Sequence, residues 1–167
     1  SQYRLTAHLG TAVIIYGYII WVAFSLFYPP EQNRQQEKPT LRRYATALSG
    51  LVFLMILSGG FVAGTDAGYA WLAIFEDITT IQFNHRMFAY LLIALIIYFV
   101  FNVLKQENIS SEIRAGVKLM LILLVIQVTL GISTLLLHMP IPIAAAHQGG
   151  AILLFSSVLF VCHRLRN

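Results

Sequence analysis

Five long apolar stretches run along the chain, separated by short polar segments. They lie at about Leu5 to Tyr28, Tyr44 to Thr65, Asn84 to Leu104, Ala115 to Leu137 and Pro142 to Cys162. A helix crossing about 30 Å of hydrocarbon needs roughly 20 apolar residues, and each stretch meets that length. Pro29-Pro30 closes the first stretch, and His138-Met139-Pro140 closes the fourth. The pattern predicts an all-α, polytopic membrane protein of about five transmembrane helices. Gly59, Gly60, Gly131, Gly149 and Gly150 fall inside these helices. There they permit close helix approach or leave room for a flat ligand.

Composition agrees. Of 167 residues, 58% are hydrophobic and only 11% are charged, against about 25% charged in soluble domains. The net charge of +4 does not point to nucleic acid, because the basic residues cluster in the loops rather than along one face. Arg34, Lys38, Arg42 and Arg43 lie between the first two stretches. Lys105, Arg114 and Lys118 flank the next basic connection, and Arg164 and Arg166 lie in the tail. The connection between the second and third stretches carries Asp66, Glu76 and Asp77, with no Lys or Arg before Arg86. The positive-inside rule therefore places the basic loops on the cytoplasmic or matrix side. The first, third and fifth helices then run from outside to inside. Membrane lipid is the surrounding partner. Cys162 is the only cysteine, so no intrachain disulfide or zinc-type spacing exists.

With this topology, His8, His85 and His147 all fall near the outer ends of their helices. A lone interfacial histidine is more often a polar anchor than a ligand, but an imidazole inside a membrane is a functional candidate. Two imidazoles at matched depth on separate helices suit the axial positions of one haem iron. Ala144, Ala145, Ala146, Gly149, Gly150 and Ala151 surround His147 with small side chains, and Arg86 beside His85 offers a cation to a propionate. The segments Ala7-His8-Leu9-Gly10-Thr11-Ala12 and Ala146-His147-Gln148-Gly149-Gly150-Ala151 share the pattern A-H-x-G-x-A. This echo suggests two related halves. His8 then closes a first half, and His85 and His147 belong to a second, giving a four-helix haem-binding bundle plus one extra helix. His138 and His163 read as interfacial, Gln127 as an interhelical hydrogen bond, and Asp66 as a solvated helix end. Tyr16, Tyr18, Trp21, Tyr98 and Phe101 read mostly as lipid or interface contacts. No acid–base pair appears at buried positions, and Gln82, one turn before His85, cannot act as one.

These residues resemble the haem A synthase family over nearly the whole chain. Ser1-Gln2-Tyr3-Arg4-Leu5 with Ala7-His8-Leu9 resembles its fourth helix. Leu51 to Leu54, Ser58 to Gly64 and Asp66-Ala67-Gly68 resemble the fifth helix and its loop. Gln82-Phe83 with His85-Arg86, Gln127-Val128 with Leu130 to Leu136, and Ala146-His147-Gln148 with Gly150 resemble the sixth, seventh and eighth. The resemblance implies eight helices in two similar halves. It implies haem b between His85 and His147, and a substrate haem held in part by His8. The implied reaction oxidises a ring methyl of haem O to the formyl group of haem A for cytochrome oxidase. A catalytic glutamate belongs to the first half and has no counterpart here. The resemblance leaves the electron donor open and implies haem O synthase or oxidase assembly factors as partners.

The expected organisation is residues 1–28 as the last helix of a substrate-haem half, 29–43 as an inside loop and 44–167 as the haem b domain. Helices one to three are expected to precede residue 1. The segment from Gly68 to Gln82 is shorter than the family's outer loop. The chain alone is not expected to be catalytically competent. A non-enzymatic b-type cytochrome and a haem-free membrane scaffold are the competing readings.

Overall fold

The computed structural model describes residues 2–29, 39–65 and 77–166. They form five helices: α1 Gln2–Phe27, α2 Pro39–Gly64, α3 Asp77–Leu104, α4 Ser111–Leu136 and α5 Ile141–Arg164. All five are long and apolar enough to cross a membrane. A 26-residue helix is about 39 Å long at the α-helical rise, so these elements overshoot the hydrocarbon. Apolar content marks only the lipid-spanning part, which is why the helices extend beyond the stretches read from it. Pro39 to Arg43, expected in a loop, form the first turns of α2; proline tolerates the first helical turn because it lacks only an N–H that has no partner there. Arg34 and Lys38, the loop containing Asp66 to Gly68, and Glu76 lie outside the described residues.

Two local devices fix the ends of α4 and α5. Ser110 is extended at the N-cap of α4, and its hydroxyl accepts from Ile113 N–H at 3.3 Å, filling one of the open donors of the first turn. The α4–α5 connection turns back through His138 and Met139, both left-handed at φ 61° and 63°. Met139 N–H donates to Thr134 C=O at 2.8 Å, closing the end of α4. Pro142 then sits in the first turn of α5.

Successive helices α2 to α5 are antiparallel. α2 packs on α3, α3 on α4, α4 on α5, and α5 returns to α2, so the four close a ring. α3 and α5 stand diagonally across it. α1 lies outside the ring against α2 and α5. Thr6, Gly10 and Val13 face inward from α1. Gly60 and Gly64 on α2 allow the approach: a Cβ at Gly64 would stand 2.9 Å from the Cα of Gln2. Small residues spaced by four are the usual means of close helix contact in lipid.

α1 and α5 are parallel and in register. Tyr16 Oη lies 2.8 Å from Ser156 Oγ, and Ser25 Oγ lies 3.1 Å from His163 Nε2. These partners are 140 and 138 residues apart. That offset brackets the spacing of His8 and His147, so these two histidines sit at the same height.

The opposite, basic end of α5 is anchored by His163, read from sequence as interfacial, and by Arg164, read as part of the basic tail. His163 is only 1% exposed and meets the Trp21 ring edge-on at 5.1 Å. Arg164 is 3% exposed; it pairs with Glu112 of α4 and donates to the Tyr28 carbonyl at 3.1 Å. The registered α1 covers both side chains, which is why a terminal position became a buried one. Arg164→Ala is expected to destabilise the folded protein by about 2 kcal/mol. This is less than the roughly 3–5 kcal/mol for breaking a fully buried pair, because Glu112 keeps 39% exposure. Thermal unfolding in detergent measures it; an unchanged midpoint would refute the anchoring role.

Candidate haem site

The apolar core of the ring stops short of the histidine end. Ala45, Leu48, Val52 and Ile56 fill it from α2, and Leu92, Ile96, Phe99 and Val103 from α3. Ile113, Val117, Met120 and Leu124 enter from α4, and Leu154, Val158 and Val161 from α5. Beyond Ile56, Leu92, Leu124 and Leu154, no apolar side chain of the ring is buried among the described residues. The buried residues there are Gly60, Gln82, Thr134 and Gly150. Small and polar residues thus take the place of apolar ones among the buried positions at this end of the ring.

His85 and His147 lie in that region, on the diagonally placed α3 and α5. Each is tied by Nδ1 to the neighbouring helix. His85 Nδ1 is 3.0 Å from Ser58 Oγ on α2. His147 Nδ1 is 3.2 Å from the Gln127 carbonyl on α4. A carbonyl only accepts, so His147 carries its proton on Nδ1 and presents the lone pair of Nε2. The serine hydroxyl permits the same tautomer at His85. Such an outer hydrogen bond orients an imidazole and raises its basicity as a ligand.

Glycines bound both rings. A Cβ at Gly131 would meet His147 Cε1 at 2.9 Å, and one at Gly59 would meet His85 Cε1 at 3.5 Å. Gln127 and Gly131 are four residues apart, so a single face of α4 supplies both the carbonyl and the space for His147. Gln127 was expected to make an interhelical hydrogen bond through its side chain. Instead its backbone carbonyl accepts the bond, while Oε1 is buried without a partner. Gln148 Nε2 is unpartnered as well. An orphaned acceptor and donor in an apolar span are costly unless a polar group enters between the helices. These observations fit a flat, bis-imidazole-ligated group with a polar rim. Among the described residues, no three His, Cys, Asp or Glu side chains converge as a conventional metal site.

His8 and Arg86 are exposed. His8 points away from the α1 face carrying Thr6, Gly10 and Val13, and so away from the ring. Arg86 follows His85 at the rim. His138 lies in the left-handed turn and is also exposed. The aromatic residues divide: Tyr18, Tyr98 and Phe101 are exposed, whereas Tyr16 and Trp21 pack on α5. Asp66 lies outside the described residues. Ser58 and the Gln127 carbonyl were not marked in sequence as parts of the site. Their adjacency depends on which helices neighbour each other, and a backbone carbonyl carries no residue signature at all.

The fold and this arrangement define a polytopic, all-helical membrane protein with two opposed histidines at one end of a four-helix ring. A family model described as cytochrome oxidase assembly protein, COX15-CtaA, matches residues 1–159, and the chain belongs to that family. It is 43% identical to the haem A synthase of Nitrosomonas eutropha over 99% of the chain and 53% of the relative. It is 42% identical to that of Nitrosospira multiformis over 99% and 53%, and 35% identical to haem A synthase COX15 of Homo sapiens over 99% and 46%. The chain thus spans about half the length of the curated relatives it matches.

Proposed function

We propose that this chain is the haem b half, with one helix of the substrate half, of a haem A synthase that converts haem O to haem A for cytochrome oxidase. The observation that supports this most is the pair of imidazoles at one end of the ring, each held through Nδ1 and presenting Nε2 from diagonally opposed helices. His85 and His147 are assigned to the haem b iron. A bound haem b would supply one-electron transfer. Ser58 and the Gln127 carbonyl orient the two ligands, Gly131 leaves space beside the His147 ring, and Gln127 and Gln148 offer an acceptor and a donor to polar groups. Arg86 is assigned to a propionate. Leu92, Leu124 and Leu154 close the site against the opposite membrane face.

α1 takes a different role. Its register with α5 places His8 at the height of His147, and its imidazole faces away from the haem b ring. His8 is therefore assigned to the substrate haem of the other half. The basic connections lie on the cytoplasmic or matrix side, so both haem sites open toward the outer face. In membranes expressing a complete protein with these residues, His8→Ala is expected to lower haem A formation by roughly 100-fold, the scale set by misplacing a reactant, while retaining haem b. Chromatography of extracted haems and a reduced-minus-oxidised spectrum report the two quantities. Undiminished haem A formation would reject the His8 assignment.

A further inference from the structure

Four consecutive residues of α2 alternate between two sites. Leu57 reaches α1, where its Cδ2 lies 3.0 Å from the position a Cβ on Gly10 would take. Ser58 Oγ lies 3.0 Å from His85 Nδ1. Gly59 faces the same imidazole. Gly60 returns to α1, where an added Cβ would meet Leu9 Cδ2 at 3.0 Å and Thr6 Oγ1 at 3.3 Å. Thr6, Gly10 and Gly60 are all buried. One turn of helix is therefore clamped to the His8-bearing α1 on one side and holds His85 on the other.

We propose that Ser58 is a positioning residue for His85, and that through it the seating of α1 on α2 sets the ligand strength of His85. The proposal rests on the haem b reading. Each step is local. An open groove lined by Ala7, Ile14, Phe53 and Phe61 runs along this seam, but at Gly10 and Gly60 themselves the nearest atoms stand 3.0 Å from where a Cβ would be, so a displacement at those two contacts is passed on rather than absorbed. α1 cannot shift toward Gly60 or Leu57 without moving the turn that carries Ser58. Ser58 Oγ accepts from Nδ1–H, which makes His85 a stronger donor through Nε2 and favours the oxidised iron. A longer or lost bond weakens that donor and raises the midpoint potential. The same serine thus links the helix carrying one histidine to the ligand strength of another.

The test is redox titration of the haem-loaded protein in detergent. Ser58→Ala is expected to raise the haem b midpoint by a tenfold change in the oxidised-to-reduced ratio, about 59 mV for one electron, with low-spin absorption retained. Ser58→Thr restores the hydroxyl and the original value. Gly60→Ala and Gly10→Ala, neither of which touches His85, should each shift the potential, and the shift should vanish in a Ser58→Ala background, as a double-mutant cycle requires. If both glycine variants load haem and leave the potential unmoved, the proposal fails. It fails equally if their shifts persist undiminished without Ser58. A wild-type protein that takes up no haem b would overturn the haem reading as well, and the missing Soret band distinguishes that outcome.

Discussion

His147→Ala is expected to abolish stable haem b binding. The imidazole presents Nε2 because Nδ1 donates to the Gln127 carbonyl at 3.2 Å, and alanine offers the iron nothing. Loss of even an outer partner costs roughly 10–100-fold in metal affinity, so loss of the ligand itself should exceed that range. His85→Ala should behave alike, because α3 and α5 are opposed across the ring and neither has a second imidazole at that end. His138→Ala is the control: it sits in the α4–α5 turn with a left-handed backbone, and its loss should leave haem content nearly unchanged. Pyridine-haemochrome quantification of purified protein decides the matter. A full complement of low-spin haem in His147→Ala would refute the axial assignment, and equal loss in His138→Ala would show that the outer histidine was chosen wrongly.

After the two ring histidines, Gly131→Ala should lower haem b content most, although glycine contributes no ligand. The added Cβ would lie 2.9 Å from His147 Cε1 and 3.4 Å from Nδ1. The ring cannot retreat along α4, because the carbonyl that orients it is one turn away on the same face. It must rotate or withdraw, stretching its bond to Gln127 and turning Nε2 away from where it would hold a haem iron. Overpacking of this kind costs about 1–3 kcal/mol, and here the strain falls on the ligand. The expected result is haem content lowered about tenfold or more, one decade per 1.4 kcal/mol, with the remaining haem turning high-spin. Gly59→Ala provides the comparison on the other ring, since its Cβ would rest at an ordinary 3.5 Å from His85 Cε1, and it should bind haem normally. Identical behaviour of the two alanine variants would remove the geometric basis for the prediction.

The helical architecture could be read along the chain because hydrophobicity in a membrane is a one-dimensional property. Lipid demands that each segment satisfy its own backbone hydrogen bonds, so a run of apolar residues already implies a helix. The ends were less legible. Pro39 to Arg43 and Arg164 are helical despite their polarity, since capping and packing rather than apolar content decide where a helix stops. The histidines could be picked out because imidazole is rare and costly in lipid. His163 could not be sorted from them, because its burial arises from α1 lying in register against α5.

By itself, the sequence determined the all-α membrane class and the five apolar spans, and it raised His8, His85 and His147 as candidates. These follow from the cost of placing polar groups in hydrocarbon, which acts on each segment separately. Only the tertiary structure decided that α3 and α5 oppose each other across a ring and that α1 stands outside it. The same packing brought Ser58 and the Gln127 carbonyl to the Nδ1 atoms and left the apolar core ending below the histidines. Those are relations between helices, and helix neighbours in lipid are chosen by the fit of small residues such as Gly60, Gly64 and Gly131, a three-dimensional match that no single segment carries.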